Sequence, residues 1–276
     1  VDGDGALEIV AIAYDSTAAA GSRVHLVRAD GAPYGGIWPV AVDTVIVADP
    51  VIGNVFPPDT DLEIVTGAVN GAVYAWSHDG STWPAAPRVS GSVETSPALA
   101  QMDSDAELEV VVSSSLFVAS PPPGRWEGAV TAIDDDGDVL GGWPKGAGSW
   151  AAAAGPMPSA ISIGGAVEVM TGGPAGEFLS WSSLGEPVYG FPIDLAGGSS
   201  ASAAADDIDG DGAIELVTVS AAEGGSIRCD ELIGDYGTGL LWWPMFRHDR
   251  SRTGRYGAAV PTGSDGRAGA APPATR

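Results

Sequence analysis

The run Asp207-Ile208-Asp209-Gly210-Asp211-Gly212-Ala213-Ile214-Glu215 carries the strongest chemistry in this sequence. Acids occupy positions one, three, five and nine of the run. Carboxylates at alternate positions turn inward, Gly212 permits a sharp bend, and Ala213 at position seven offers a backbone carbonyl. Hard oxygen donors at this spacing suit Ca²⁺, which takes about six to eight oxygens. An EF-hand is the obvious rival and fails twice, because position twelve is Thr218 rather than a bidentate Glu and the flanks read as strands. The plainer alternative is a tight Asp-Gly turn with no ion. Four carboxylates within nine residues would then repel one another with nothing to offset them.

The elements that position this loop recur along the chain. An acidic residue opens an apolar β-run five times, at Glu8-Ile9-Val10, Glu63-Ile64-Val65, Glu109-Val110-Val111, Glu168-Val169-Met170 and Glu215-Leu216-Val217. An aromatic residue before proline follows each, at Trp38-Pro39, Trp83-Pro84, Trp143-Pro144, Phe191-Pro192 and Trp243-Pro244. Two marks in one order, five times over, define a repeat. The first strands of the units read as Leu7 to Ala13, Leu62 to Ala68, Leu108 to Ser113, Val167 to Thr171 and Ile214 to Ser220, apolar enough to be buried on both faces. Second strands follow at Arg23 to Val27, Ala72 to Trp76, Ala129 to Ile133 and Glu177 to Trp181, with Ser226 to Cys229 the candidate in unit five. Asn70-Gly71 is a strong hairpin signal, with positive φ expected at both residues. A polar turn comes next, as in His78-Asp79-Gly80 or Ser183-Leu184-Gly185. The aromatic-proline strand comes last and belongs at an open sheet edge, because proline donates nothing to a ladder. A further strand precedes the Glu mark at Thr44 to Ala48, Ser96 to Met102 and Ala201 to Ile208.

The expected fold is all-β: a β-propeller of four-stranded antiparallel blades, with five repeats at 1–42, 43–93, 94–148, 149–198 and 199–256. These either close alone or belong to a ring of roughly six to eight blades. Residues 257–276, rich in Ala, Gly and Pro, read as a flexible tail.

Composition sets the outer bounds. Among 276 residues, 36 acidic side chains face 12 basic ones, a formal charge of −24, so nucleic acid and anionic membrane surfaces are poor partners. The 40 Gly and 21 Pro exclude a helical bundle, while 45% hydrophobic content supports a core. A single cysteine, Cys229, gives no disulfide framework and reads as a small buried residue. No apolar run approaches the roughly 20 residues of a membrane helix. The opening Val1-Asp2-Gly3-Asp4-Gly5 lacks Met and any leader pattern, as in a processed or excised piece of a larger protein.

With its acidic loop running into an apolar strand, and Gly141-Gly142-Trp143-Pro144 closing a unit, the chain resembles the FG-GAP/VCBS repeats, bacterial relatives of the integrin α-subunit propeller. The resemblance spans about residues 1–256. It implies a secreted or cell-surface module whose loops bind Ca²⁺ for rigidity. Carried over loop by loop, it assigns Asp207, Asp209, Asp211 and Glu215 by side chain, with Ala213 by carbonyl. In unit one it assigns Asp2, Asp4 and Glu8, with Ala6 by carbonyl. Unit three offers Asp103, Asp105 and Glu109, although Gln101 replaces the first acid and Ala106 the turn glycine. Unit two has Pro57-Pro58 where the pattern should be, with Asp59 and Asp61 nearby. Unit four, Ser162 to Gly165, has no acids before Glu168, and no metal is expected there. The acidic run Asp134 to Asp138 falls at the polar turn and reads as solvated.

The longest insertion, Ser113 to Gly128, carries Pro121-Pro122-Pro123 with Phe117 and Trp126, the candidate partner-binding pair. The basic run Arg247 to Arg255 reads as a closing segment docked on the acidic body. No nucleophile elbow, P-loop or zinc spacing is present, so catalysis is not expected. Three functions follow. The first is a non-catalytic, extracellular, calcium-stabilised interaction module for adhesion, display or assembly, binding protein, glycan or other parts of its own larger protein. The second is a piece of a calcium-dependent propeller polysaccharide lyase, disfavoured by a surface that repels uronates. The third is a purely structural repeat of a surface protein or filament.

Overall fold

Each Glu-marked run pairs antiparallel with the β-branched run after it, and these hairpins nucleate five sheets in chain order. The computed structural model describes residues 1–14, 21–56, 61–83, 86–119, 122–150, 158–163, 166–173, 176–195, 197–199, 201–220, 225–232, 243–245, 248 and 254–256. The first sheet holds β1 (Glu8–Tyr14), β2 (Ser22–Arg28) and β3 (Val40–Val42). The second holds β4 (Val51–Gly53), β5 (Glu63–Gly67) and β6 (Val73–Trp76). The third holds β7 (Ala98–Ala100), β8 (Glu109–Val118), β9 (Arg125–Ile133) and β10 (Lys145–Trp150). The fourth holds β11 (Ser159–Ile163), β12 (Ala166–Gly172), β13 (Glu177–Ser182) and β14 (Ile193–Asp194), and the fifth β15 (Ala204–Asp206), β16 (Ile214–Ser220) and β17 (Ser226–Leu232). In every sheet strands adjacent in sequence are adjacent in space, and all strand pairs are antiparallel. The protein is all-β, a succession of small meander sheets of the kind that make propeller blades.

Four strands per blade holds for the third and fourth sheets. The first, second and fifth show three among the described residues. In the second sheet the last strand is reduced to isolated bridges, Ala72 with Arg88 and Trp76 with Thr82. The strand expected at Thr44 to Ala48 lies instead at β4. There the Ile46 amide donates to Ser22 Oγ (2.8 Å) instead of entering a ladder, and Asp49-Pro50 intervenes. At Asn70-Gly71 only Gly71 has positive φ (+82°), and Ala72 N donates to Asn70 Oδ1 (3.0 Å) in place of a two-residue primed turn. The polar turns share one geometry: the amides of Gly31, Gly80, Gly137 and Gly185 donate to the carbonyls of Arg28, Ser77, Asp134 and Ser182 at 2.8–3.0 Å.

β1 is not buried on both faces, for Ile9 and Tyr14 are more than half exposed. β5 is buried throughout and β8 over its first seven residues. Residues 113–118 and 125–128 of the insertion are strand rather than loop. β8 and β9 continue through it, pairing Phe117 with Trp126, whose rings sit 5.2 Å apart. Aromatic residues facing each other across the ladder extend it. Phe117 is half exposed. Pro121 lies outside the described residues.

Neighbouring sheets meet at their first strands, β4 against β7 and β7 against β11. A Cβ on Gly53 of β4 would stand 2.4 Å from Leu99 of β7, which explains the glycine. The largest core runs from the second and third sheets into the fourth and includes Val65, Leu99, Val111 and Trp243. Trp243-Pro244 is not an outer edge strand. Trp243 is buried and exchanges backbone hydrogen bonds with Ala160 of β11, while Ala205 of β15 donates to the Pro244 carbonyl (3.0 Å). Downstream, Ile52 N donates to Gly254 O (2.7 Å) and Tyr256 N to Ile52 O (2.8 Å), docking the end of the basic run on β4. The rest of that run, apart from His248, and residues 257–276 lie outside the described residues. Cys229 is exposed rather than buried.

Candidate metal centre

The three acidic loops adopt one conformation dictated by their residue spacing. Short acidic side chains accept hydrogen bonds from amides two residues on, as Asx turns do. In the fifth sheet Asp211 N donates to Asp209 Oδ1 (3.1 Å), Ala213 N to Asp211 Oδ1 (2.8 Å), and Ile208 N to Glu215 Oε2 (2.7 Å). In the first sheet Asp4 N donates to Asp2 Oδ1 (3.1 Å) and Ala6 N to Asp4 Oδ1 (2.7 Å), while the Val1 ammonium forms an ion pair with Glu8 Oε2 (2.5 Å). In the third sheet Asp105 N donates to Asp103 Oδ1 (2.9 Å), Glu107 N to Asp105 Oδ1 (3.1 Å), and Met102 N to Glu109 Oε2. Amides at positions five and seven thus bond to the acids at three and five in each loop, and in the third and fifth sheets the position-two amide bonds to the glutamate at nine.

This frame gathers the carboxylates. Oxygens of Asp207, Asp209 and Glu215 lie within 4.8 Å of one another, as do those of Asp2, Asp4 and Glu8. Asp211 is not in its group; its carboxylate caps Ala213, and Asp207 accepts from Gly210 and Gly212 (2.7 and 3.1 Å). In the first sheet Tyr34 donates its hydroxyl to Asp2 Oδ2 (2.7 Å). That bond, with the Asp4 amide second, holds the Asp2 carboxyl below its usual range. Burial, then the bond to Asp2, pushes the Tyr34 phenol up to about 12.

The third sheet gathers more acids than its sequence promised. Oxygens of Asp103, Asp105, Glu109 and Asp134 lie within 4.8 Å of one another, and Asp105, Glu107 and Asp135 form an adjoining group. Burial pushes the Glu109 carboxyl up to about 8, with the charges of Asp103 and Asp105 adding to the effect. Burial and neighbouring acids also raise Asp105 and Asp135. Asp134 and Asp135 therefore join the acidic centre, while Asp136 and Asp138 of the same turn are exposed.

The other two units satisfy their glutamates without a cluster among the described residues. Glu63 is fully buried and accepts from Val55 N (2.9 Å) and Ser77 Oγ (2.8 Å). Asp61 meets His78 Nδ1 at 3.2 Å, and Pro57, Pro58 and Asp59 lie outside the described residues. Glu168 accepts from Ser180 Oγ (3.0 Å), and burial raises its carboxyl above the ordinary value.

No protein-family model matches the chain, and no curated protein does. Among solved structures, BBS1N in complex with ARL6DN, soaked with lead, is similar at TM-score 0.44 and 15% identity over 80% of this chain and 61% of its own. BamB from Moraxella catarrhalis follows at TM-score 0.43 and 13% identity, over 83% of this chain and 69% of its own. The V. cholerae biofilm matrix protein Bap1 gives TM-score 0.40 and 17% identity, over 80% and 45%. The all-β assignment rests on the strand pairing described above.

Sequence reading missed Asp134, Tyr34 and the amide of Gln101 as parts of these centres. The signal for Asp134 was the acidic run itself together with the antiparallel pairing of β8 and β9, which brings the loop before one strand beside the turn after the other. Trp181 is buried against Trp143 (ring centroids 6.2 Å).

Proposed function

We infer that the chain is a calcium-stabilised interaction module of an extracellular or cell-surface protein, binding protein or glycan and performing no chemistry itself. The observation that carries this reading is the convergence of carboxylates, within 4.8 Å, on three loops that share the same two aspartate-turn hydrogen bonds. Asp207, Asp209 and Glu215 would hold one ion, and Asp2, Asp4 and Glu8 another. The donors are hard oxygens throughout, with no imidazole or thiolate, which suits calcium over zinc. A bound divalent cation supplies positive charge that offsets the mutual repulsion of the loop acids. The residues fit that role, since the fully buried Glu109 keeps an oxygen, Oε1, with no hydrogen-bond partner.

An extracellular setting agrees with this chemistry, because external modules bind calcium at about 10⁻⁴–10⁻³ M and so fill outside cells. The net charge of −24 fits neutral glycans or basic protein surfaces better than uronates. Calcium-loaded protein is to be screened on glycan and cell-surface protein arrays, beside an assay for unsaturated products from pectins. Chelator-sensitive binding without turnover is the expected result. Turnover would overturn the non-catalytic reading, and absence of any binding would leave a structural spacer in its place.

A further inference from the structure

The acidic loop of the third sheet departs most from the repeat pattern, yet it holds the largest cluster. Gln101 stands at position one, and its Nε2 donates to the carbonyls of Asp105 (2.7 Å) and Glu107 (2.9 Å). Position one therefore brings no charge, and the position-seven carbonyl already has a donor. A second element makes good the loss. β8 and β9 are antiparallel with Val110 opposite Ile133, so the turn leaving β9 lies beside the loop entering β8. Asp134, first residue of that turn, places an oxygen within 4.8 Å of Asp103, Asp105 and Glu109.

Glu109 supplies an independent sign of a ligand. It is fully buried, its Oε2 accepts from Met102 N, and its Oε1 has no hydrogen-bond partner. Glu63, at the same place in the second sheet, has a donor on each oxygen. A fully buried carboxyl that keeps an oxygen without a donor, and that is grouped within 4.8 Å of three other carboxylates, calls for a cation.

We propose that a hard divalent cation of the calcium type is held between two loops of the third sheet by Asp103, Asp105, Glu109 and Asp134. The proposal rests on the calcium reading above and adds a ligand from a second loop that the single-loop pattern lacks. It also gives the ion a position in the architecture. The Asp135 carbonyl, next to Asp134, accepts the indole N–H of Trp83 from the second sheet (2.7 Å). The ion thus fixes the turn on which the preceding sheet is latched.

The test uses the full chain stripped with chelator, with terbium(III) as probe and calcium as competitor. Trp83, bonded beside the site, sensitises terbium emission, and Trp83→Phe marks that signal as its own. Asp134→Asn keeps the oxygen that accepts the Asp135 amide (2.9 Å), so the turn survives. The Trp83-dependent signal is expected to lose at least about tenfold in affinity in Asp134→Asn, since even outer-shell changes cost that much. Asp103→Asn, on an exposed loop, carries the same expectation and is read if Asp134→Asn does not fold. Unchanged affinity in the folded variant overturns the two-loop site while leaving calcium at the fifth-sheet loop standing. Absence of terbium binding to the wild-type chain overturns both.

Discussion

The indole Nε1 of Trp143 donates to the carbonyl oxygen of Ser183, 2.9 Å away and 40 residues later. The bond joins the aromatic-proline mark of the third unit to the polar turn of the fourth. Trp38 makes the same bond to His78 O (2.7 Å) and Trp83 to Asp135 O (2.7 Å). All three indoles are buried. The mark read as an edge strand is therefore a latch between successive sheets, and Phe191, with no N–H, leaves the fourth unit without it.

Trp143→Phe should cost about 1 kcal/mol, the net worth of one hydrogen bond, whereas Trp143→Ala should cost about 3–5 kcal/mol through the cavity it leaves. Urea denaturation of both variants checks this. Equal costs would mean that packing alone holds the seam.

The glycine before that tryptophan serves the same seam. Gly142 has φ +90°, and a Cβ there would stand 2.1 Å from the Leu184 carbonyl oxygen. Gly142→Ala should lower stability by at least about 1–2 kcal/mol from the left-handed backbone alone, before the clash is counted. Gly141→Ala, where a Cβ meets nothing within 4 Å, is the control in the same melt.

Glu63 holds the second sheet without a cluster, through its bonds from Val55 N and Ser77 Oγ. Glu63→Ala orphans both donors in a buried site and should cost about 2–4 kcal/mol. Ser77→Ala removes one of the two donors and should cost less. The order of the two melting temperatures decides the point.

Glu168 gives a pH test. Burial raises its carboxyl above the ordinary 4.5, partly offset by the Ser180 hydroxyl. The folded state then binds more protons than the unfolded one, so stability falls as pH rises from about 4.5 through the raised value. Glu168→Gln keeps an oxygen for Ser180 and loses the penalty. Its melting temperature should match wild type near pH 4 and exceed it increasingly towards neutral pH. A gap that shrinks with rising pH would contradict the assignment.

Much of this was legible in the sequence because two independent marks repeated in order. β16 falls at Ile214–Ser220 as expected, and the other first and second strands of the first four units lie within a few residues of their expected places. Period-two burial and turn glycines are local properties, so they survive in sequence. What was not legible depends on contacts between units. Nothing local reveals that Trp38, Trp83 and Trp143 reach into the next turn, or that Trp243 pairs with β11 of the preceding sheet. The Phe117–Trp126 hairpin was obscured by prolines, which mark a turn without fixing its length. Asp134 was obscured because its partners lie some 30 residues earlier, across a strand pair.

In the function proposed above, loop carboxylates hold calcium and the ion rigidifies a passive scaffold. Calorimetric titration of the metal-free full chain with calcium, followed by melting of the same sample, tests it most directly. Binding heat and a melting temperature raised by calcium and lowered again by chelator are the predicted results. No heat, with superimposable transitions in calcium and in chelator, would contradict it.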